Sequence, residues 1–124
     1  MTTYFKTPVW TNLETEINIW LATVRSDGRP HLVPIWFAWY NNKIYFCVSS
    51  DSVKAKNIAK NPQVSLALAH SAGVVVCEGH AAVLPIPWED GIKDIFSKKY
   101  NWAVSPDGEY NQLFEVEPKK WLIW

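Results

Sequence analysis

A chain of 124 residues has the length of one domain, residues 1–124, and its 12 basic side chains are balanced by 12 acidic ones. That balance argues against a general nucleic-acid or membrane-surface binder, which would carry a basic excess. Apolar residues make up 48%, as in folded soluble proteins, and no apolar run is long enough for a transmembrane helix. The start, MTTYFKTPVW, lacks a basic region followed by an apolar core, so no signal peptide is expected. Cys47 and Cys77 form no C-x-x-C and read as reduced, buried thiols of a cytoplasmic protein. Eight tryptophans exceed what a core of this size needs. Core plus scattered surface is the plain reading; an interface or a flat-ligand site is the sharper one.

In chain order, TNLETEI predicts a short helix with Thr11 as N-cap and Glu14 completing a capping box. NIWLATVR predicts a strand, and SDGRP a turn in which Gly28 can take positive φ. HLVPIWFAWY and KIYFCVSS predict the second and third strands of an antiparallel meander, with NNK turning the chain between them. A short helix over 52–60 follows, then the strand QVSLALAH, a turn at SAG and the long strand VVVCEGHAAVLPI. Gly79 in the middle of that strand signals a bulge or sharp bend. PWEDGIKDIFSKKY predicts a helix, with Glu89 and Asp90 as its first turn rather than a catalytic pair. A loop over 101–111 leads to QLFEVEP and KKWLIW, one strand or two. The fold class is therefore mainly β: a small barrel of about six antiparallel strands with helices on its ends or sides.

Two features of this pattern call for a ligand or a partner. Along the second strand, Leu32, Pro34, Trp36, Ala38 and Tyr40 face one way and His31, Val33, Ile35, Phe37 and Trp39 the other, so both faces are largely apolar. A strand open to water alternates with polar residues; here a ligand ring, a second subunit, or a helix of the same chain is expected to cover the outer face. Pro34, lacking an N–H, suits an edge or a bulge. The helix over 52–60 opens on Ser49, Ser50, Asp51 and Ser52 and carries Lys54 and Lys56 where the helix dipole disfavours cations. A phosphate at that helix start resolves the conflict: backbone N–H groups and serine hydroxyls donate to it and the two lysines neutralise it. Solvated lysines on a short helix are the alternative. A ligand with an anionic end at the cap and a flat ring along the second strand has the shape of flavin mononucleotide (FMN). The three histidines, His31, His70 and His80, lie too far apart in sequence to suggest a zinc site, and His31 reads as a satisfied surface or rim residue.

The stretch LATVRSDGRPHLVPIWFAWYNNKIYFCVSSDSVKAKNIAKNPQVSLAL resembles the pyridoxamine 5′-phosphate oxidase-like FMN-binding split-barrel family. The likeness rests on the D-G-x-P turn (Asp27, Gly28, Pro30), a strand with a mid-run Pro, S-x-K-x-x-N (Ser52, Lys54, Asn57) and N-P-x-V-S-L from Asn61 to Leu66. Glu78, Gly79, Ala81 and Val83 match E-G-x-A-x-V, and FEVEPKKWLIW resembles the family's final strand, so the likeness spans about residues 12–124. It implies a split barrel and a homodimer with two flavin sites at the subunit interface. It also implies a phosphate held by Ser52 and Lys54, with Ser49, Ser50 and Lys56 nearby, and a ring lying along Val33, Pro34, Ile35 and Trp36. Three departures stand out. Val33 and Ala38 occupy the positions that resemble those of the oxidase's phosphate-binding Arg and Lys, Val53 replaces the Arg before the phosphate lysine, and the oxidase's carboxy-terminal Arg-and-His segment is missing. Pyridoxamine phosphate oxidase activity is therefore not expected, and a deazaflavin is the alternative cofactor.

The resulting expectation is an FMN-dependent oxidoreductase acting on a small substrate, with no metal and no nameable catalytic acid or base. The alternative is a non-catalytic module that stores or senses a flavin or deazaflavin. A nucleic-acid binder using stacked aromatics is a weaker third, opposed by the zero net charge.

Overall fold

The computed structural model describes residues 7–70 and 73–124; the turn expected at SAG lies largely outside them. The chain runs α1 (Thr7–Thr15), β1 (Ile19–Val24), β2 (Pro30–Ile35), β3 (Ala38–Tyr40), β4 (Lys43–Val48), α2 (Val53–Lys60), β5 (Gln63–His70), β6 (Gly73–Val83), α3 (Asp90–Tyr100) and β7 (Gln112–Ile123). The strands form one antiparallel sheet in the order β2-β1-β5-β6-β7-β4-β3. Its two edges, β2 and β3, are separated in the chain by Trp36 and Phe37 alone. Two residues span only about 7 Å, so the seven-stranded sheet must curl until its edges nearly meet. The result is a barrel closed by a bend of the chain, a split barrel.

Alternation fills the barrel. Ile19 and Leu21 of β1, Ile44 and Phe46 of β4, Leu66 of β5 and Val116 of β7 are all fully buried on the inner face, with Leu13 of α1 and Ile58 of α2 packed on the same core. Phe46 and Phe114 stack at its centre, ring centroids 5.2 Å apart. A second cluster forms outside the barrel, where α3 lays Ile92 and Phe96 over Ala38, Tyr45, Cys47 and Leu113. β4 is thus buried on both faces, which accounts for its nearly unbroken apolar sequence.

Several local expectations are revised. α1 begins at Thr7 rather than at Thr11: Pro8 stands in the first turn, where its missing N–H and fixed φ are favourable, so Thr11 lies inside the helix and no capping box forms there. The second strand is two strands, broken at Trp36–Phe37, which raises the count to seven. The carboxy-terminal segment is one long strand. Other expectations hold. Pro34 sits on an edge strand, Ser52 caps α2, Glu89 and Asp90 open α3, and the β6 register shifts between Glu78 and Gly79. A Cβ at Gly79 would run into the backbone carbonyl of Glu117. Gly79→Ala is therefore expected to cost about 1–3 kcal/mol, the range for overpacking, read as a lower denaturation midpoint.

Candidate functional site

The outer face of the 31–40 segment is covered only in part. α3 buries Ala38 and part of Tyr40, whereas Leu32 and Trp36 stay 60% and 45% exposed. Beside Trp36 opens a cavity of about 400 Å³ lined by Asn18, Pro34, Ile35, Trp36, Cys47, Val48, Lys54, Trp102 and Tyr110. The fold gathers these residues at one end of the barrel. The end of β2 brings Pro34 to Trp36, the end of β4 brings Cys47 and Val48, the first turn of α2 brings Lys54, and the α3–β7 connection brings Trp102 and Tyr110.

The cavity wall is aromatic and held in place from behind. Trp36 stacks on Tyr100 with centroids 4.4 Å apart and planes 10° from parallel, and meets the edge of Trp102 at 5.7 Å. Trp102 in turn meets Tyr110 at 5.6 Å and Phe96 at 5.5 Å. The Tyr100 hydroxyl accepts from the Phe37 N–H at 3.0 Å and donates to the Ile17 carbonyl at 2.7 Å. Lys99 Nζ donates to the Phe37 carbonyl at 3.2 Å and lies 3.8 Å from the Phe37 ring centroid. The bend that separates β2 from β3 therefore has its backbone groups satisfied by α3, sixty-three residues away in the case of Tyr100. Burial pushes the Tyr100 hydroxyl up to about 12, so it stays protonated at neutral pH.

Lys54 is the cavity's cation. It is half-buried, desolvation holds its amine below the usual lysine range, and no carboxylate among the described residues pairs with it. An unpaired, partly desolvated ammonium is unfavourable as it stands and improves when an anion arrives. The Cys47 thiol donates to the Tyr110 carbonyl at 3.1 Å, and burial pushes it up to about 12. It is no nucleophile at neutral pH. Alkylation of Cys47 and of the buried Cys77, also raised to about 12, is expected to be slow in native protein and fast in denaturant, by mass spectrometry.

The candidate ligand residues divide. Pro34, Ile35, Trp36 and Lys54 line this cavity together. Val33 turns inward and packs on the barrel core. Ser50 and Lys56 line a separate groove of about 260 Å³ beside Ala59 and Val83. Ser52 Oγ donates to the Ser49 carbonyl at 2.7 Å and accepts from the Ala55 N–H at 3.2 Å. Ser49 Oγ accepts from the Asp51 N–H at 3.1 Å, and Asn111 Nδ2 donates to Ser50 Oγ at 3.2 Å. Asn111 Oδ1 also takes the Ser50 N–H at 2.9 Å. In this structure the serines build and anchor the helix start. Sequence reasoning missed Asn18, Trp102 and Tyr110, which sit in segments without periodicity, and Asn111, whose role is tertiary. His31 is not the satisfied surface or rim residue expected: its Nδ1 is shut off from solvent and has no hydrogen-bond partner among the described residues. Among the described residues, no three of His, Cys, Asp and Glu gather as a metal site, and no helix is long and apolar enough to cross a membrane.

Comparison with solved structures finds this barrel in proteins with different roles. An F420 reductase superposes with TM-score 0.73 at 24% identity, covering 90% of this chain and 94% of its own. HutZ, the heme storage protein from Vibrio cholerae, gives 0.76 at 17%, covering 94% and 92%. A candidate 5-nitroimidazole antibiotic resistance protein from Bacteroides thetaiotaomicron gives 0.77 at 15%, covering 95% and 82%. At these identities the likeness is one of fold, and no curated protein matches in sequence. The sequence family described as pyridoxamine 5′-phosphate oxidase matches residues 11–124. With its barrel closed by a bend at Trp36–Phe37 and that match spanning nearly the whole chain, this protein belongs to the pyridoxamine 5′-phosphate oxidase family.

Proposed function

We propose that the cavity beside Trp36 binds a flavin nucleotide, FMN in the first place and a deazaflavin as the alternative, and that the protein is a flavin-dependent oxidoreductase acting on a small substrate. The observation that carries this reading is the pairing of a flat aromatic wall with one unpaired cation: Trp36 and Trp102 offer faces and edges to a ring, and Lys54 offers its charge to a phosphate. Family membership supports a flavin, and the F420 reductase likeness keeps the deazaflavin open. When bound, the flavin supplies the hydride chemistry. The chain's part is to bind and orient. Lys54 holds the anionic end, Trp36 fixes the plane, and Tyr100 fixes Trp36.

The second reading is storage or sensing without turnover. It is favoured by the lining: besides Lys54, the titratable groups there are the raised Cys47 thiol and the Tyr110 phenol, and none is a carboxylate or imidazole suited to proton transfer near neutral pH. We also propose a homodimer. Pro34, Trp20, Ala67, Val76 and Leu122 are cross-strand neighbours on the outer face of five strands, a continuous apolar row with Trp20 45% exposed and Leu122 36% exposed. A row of this kind suits burial against a second copy beside the flavin site. The reduced buried thiols fit a cytoplasmic protein.

Purified protein is expected to be yellow or to take up added FMN, with bleaching by NADH or NADPH and reoxidation by an acceptor. Flavin uptake without bleaching by any donor selects storage, and colourless protein that takes up neither FMN nor a deazaflavin overturns both. Sedimentation is expected to give a dimer mass.

A further inference from the structure

His31 lies on the inner side of edge strand β2, three residues before Pro34, and pairs across the strands with Thr23 of β1. The Thr23 hydroxyl is already engaged, accepting from Asn57 Nδ2 of α2 at 2.9 Å in a buried bond. Lys54 stands three residues, about one helical turn, before Asn57 and so projects from the same side of α2. From the end of β1, Arg25 reaches back so that Nη1 donates to the Pro30 carbonyl at 2.9 Å, next to His31 in the chain. The Arg25 guanidinium and the Lys54 ammonium are the two charges that act on the imidazole. Asp27, the nearest acidic residue in sequence, is exposed, bonded to Arg29 Nε at 2.8 Å and within electrostatic reach of Arg25, but no carboxylate among the described residues acts on the imidazole itself. Nδ1 of His31 has no hydrogen-bond partner among the described residues.

We propose that His31 is the third basic group of an anion cradle with Lys54 and Arg25, and that it takes up a proton when a phosphate-bearing ligand binds. The inference rests on the cavity being a flavin-nucleotide site, and it adds a residue that the serine-and-lysine pattern did not supply. The physical reason is mutual. Burial, then repulsion from Arg25 and Lys54, keeps the free imidazole below its ordinary range and neutral. A phosphate dianion beside Lys54 cancels that repulsion and stabilises the imidazolium, which takes its proton from solvent. By linkage, a ligand that makes His31 easier to protonate binds more tightly where His31 is protonated. Binding thus strengthens, relative to a chain without His31, as pH falls from the imidazole's midpoint in the complex to its lower midpoint in the free protein, and levels off below that.

The test follows the imidazole signals by NMR across pH 5–8 in protein that is flavin-free, loaded with FMN, or loaded with riboflavin, which lacks the phosphate. His31→Gln assigns the His31 signal among those of His70 and His80. The expected result is a His31 midpoint that rises by about one unit or more with FMN and stays with riboflavin. His31→Gln is then expected to weaken FMN binding about tenfold relative to wild type at pH 6, a loss that shrinks towards pH 8. FMN bound with the midpoint unmoved, or riboflavin moving it equally, overturns the role of His31 and leaves the flavin site standing. Failure of FMN to bind overturns both.

Discussion

Lys54→Ala is expected to weaken FMN binding by about 1.5–3 kcal/mol, roughly 10- to 150-fold, the range for a hydrogen bond to a charged group. Titration by flavin fluorescence quenching reads it directly. The size follows from Lys54 being the only cation among the described residues that line the cavity. Lys56 lines a different groove, and Val53 gives no charge at the preceding position, so neither takes over the contact from within the helix. Riboflavin separates this effect from a collapse of the site. It is expected to bind Lys54→Ala and wild type within about twofold, because it lacks the group that Lys54 meets. Equal FMN affinity for variant and wild type would remove the phosphate assignment. The helix itself tolerates the change: alanine has a higher helix propensity than lysine, and the Ser52 cap bonds to the Ala55 N–H, which the substitution does not touch.

Much of the fold was legible because the physics that sets it is local. Short apolar runs between turn signals placed β1, β4, β5 and β6, Ser52 opened α2, and Gly79 marked the one point where the β6 register shifts. The break in the second strand was not legible, because residues 31–40 form one apolar run without a polar interruption. What breaks the strand is the hydroxyl of Tyr100, which takes the Phe37 N–H away from any ladder. For the same reason the site was half visible. Lys54 and Trp36 were marked by a charge misfit and an apolar outer face, which local sequence displays. Trp102 and Tyr110 lie in an aperiodic connection, and their place at the cavity is set by packing on Phe96 and Trp36. The serines looked available to a ligand only because their partners, the Ser49 carbonyl and Asn111, appear once the chain is folded.

Tyr100→Ala is expected to be the most destabilising change near the site, at about 3–5 kcal/mol in denaturant unfolding. Three losses combine: the stack under Trp36, the contact with Phe96, and the acceptor and donor serving Phe37 and Ile17. Tyr100→Phe keeps the rings and removes only the hydroxyl, so about 1–2 kcal/mol is expected, with Trp36 emission little changed. The neighbouring Lys99 gives the same bend a pH signature of opposite sense to a stabilising ion pair. Burial pulls its amine down to about 8, with Glu16 opposing, below the roughly 10.4 of an unfolded lysine. Between those values the unfolded chain holds more protons than the folded one, so Lys99's contribution raises stability as pH climbs from about 8 to about 10.4. Cys47 and Cys77 act in the other direction above about pH 9, since their thiols keep protons in the fold that the unfolded chain releases. Subtracting the curve of Lys99→Met from that of wild type cancels the thiols and isolates the lysine. The difference is expected to move in favour of wild type over that window, and a flat difference would mean that the Lys99 amine is as well solvated in the fold as in the unfolded chain.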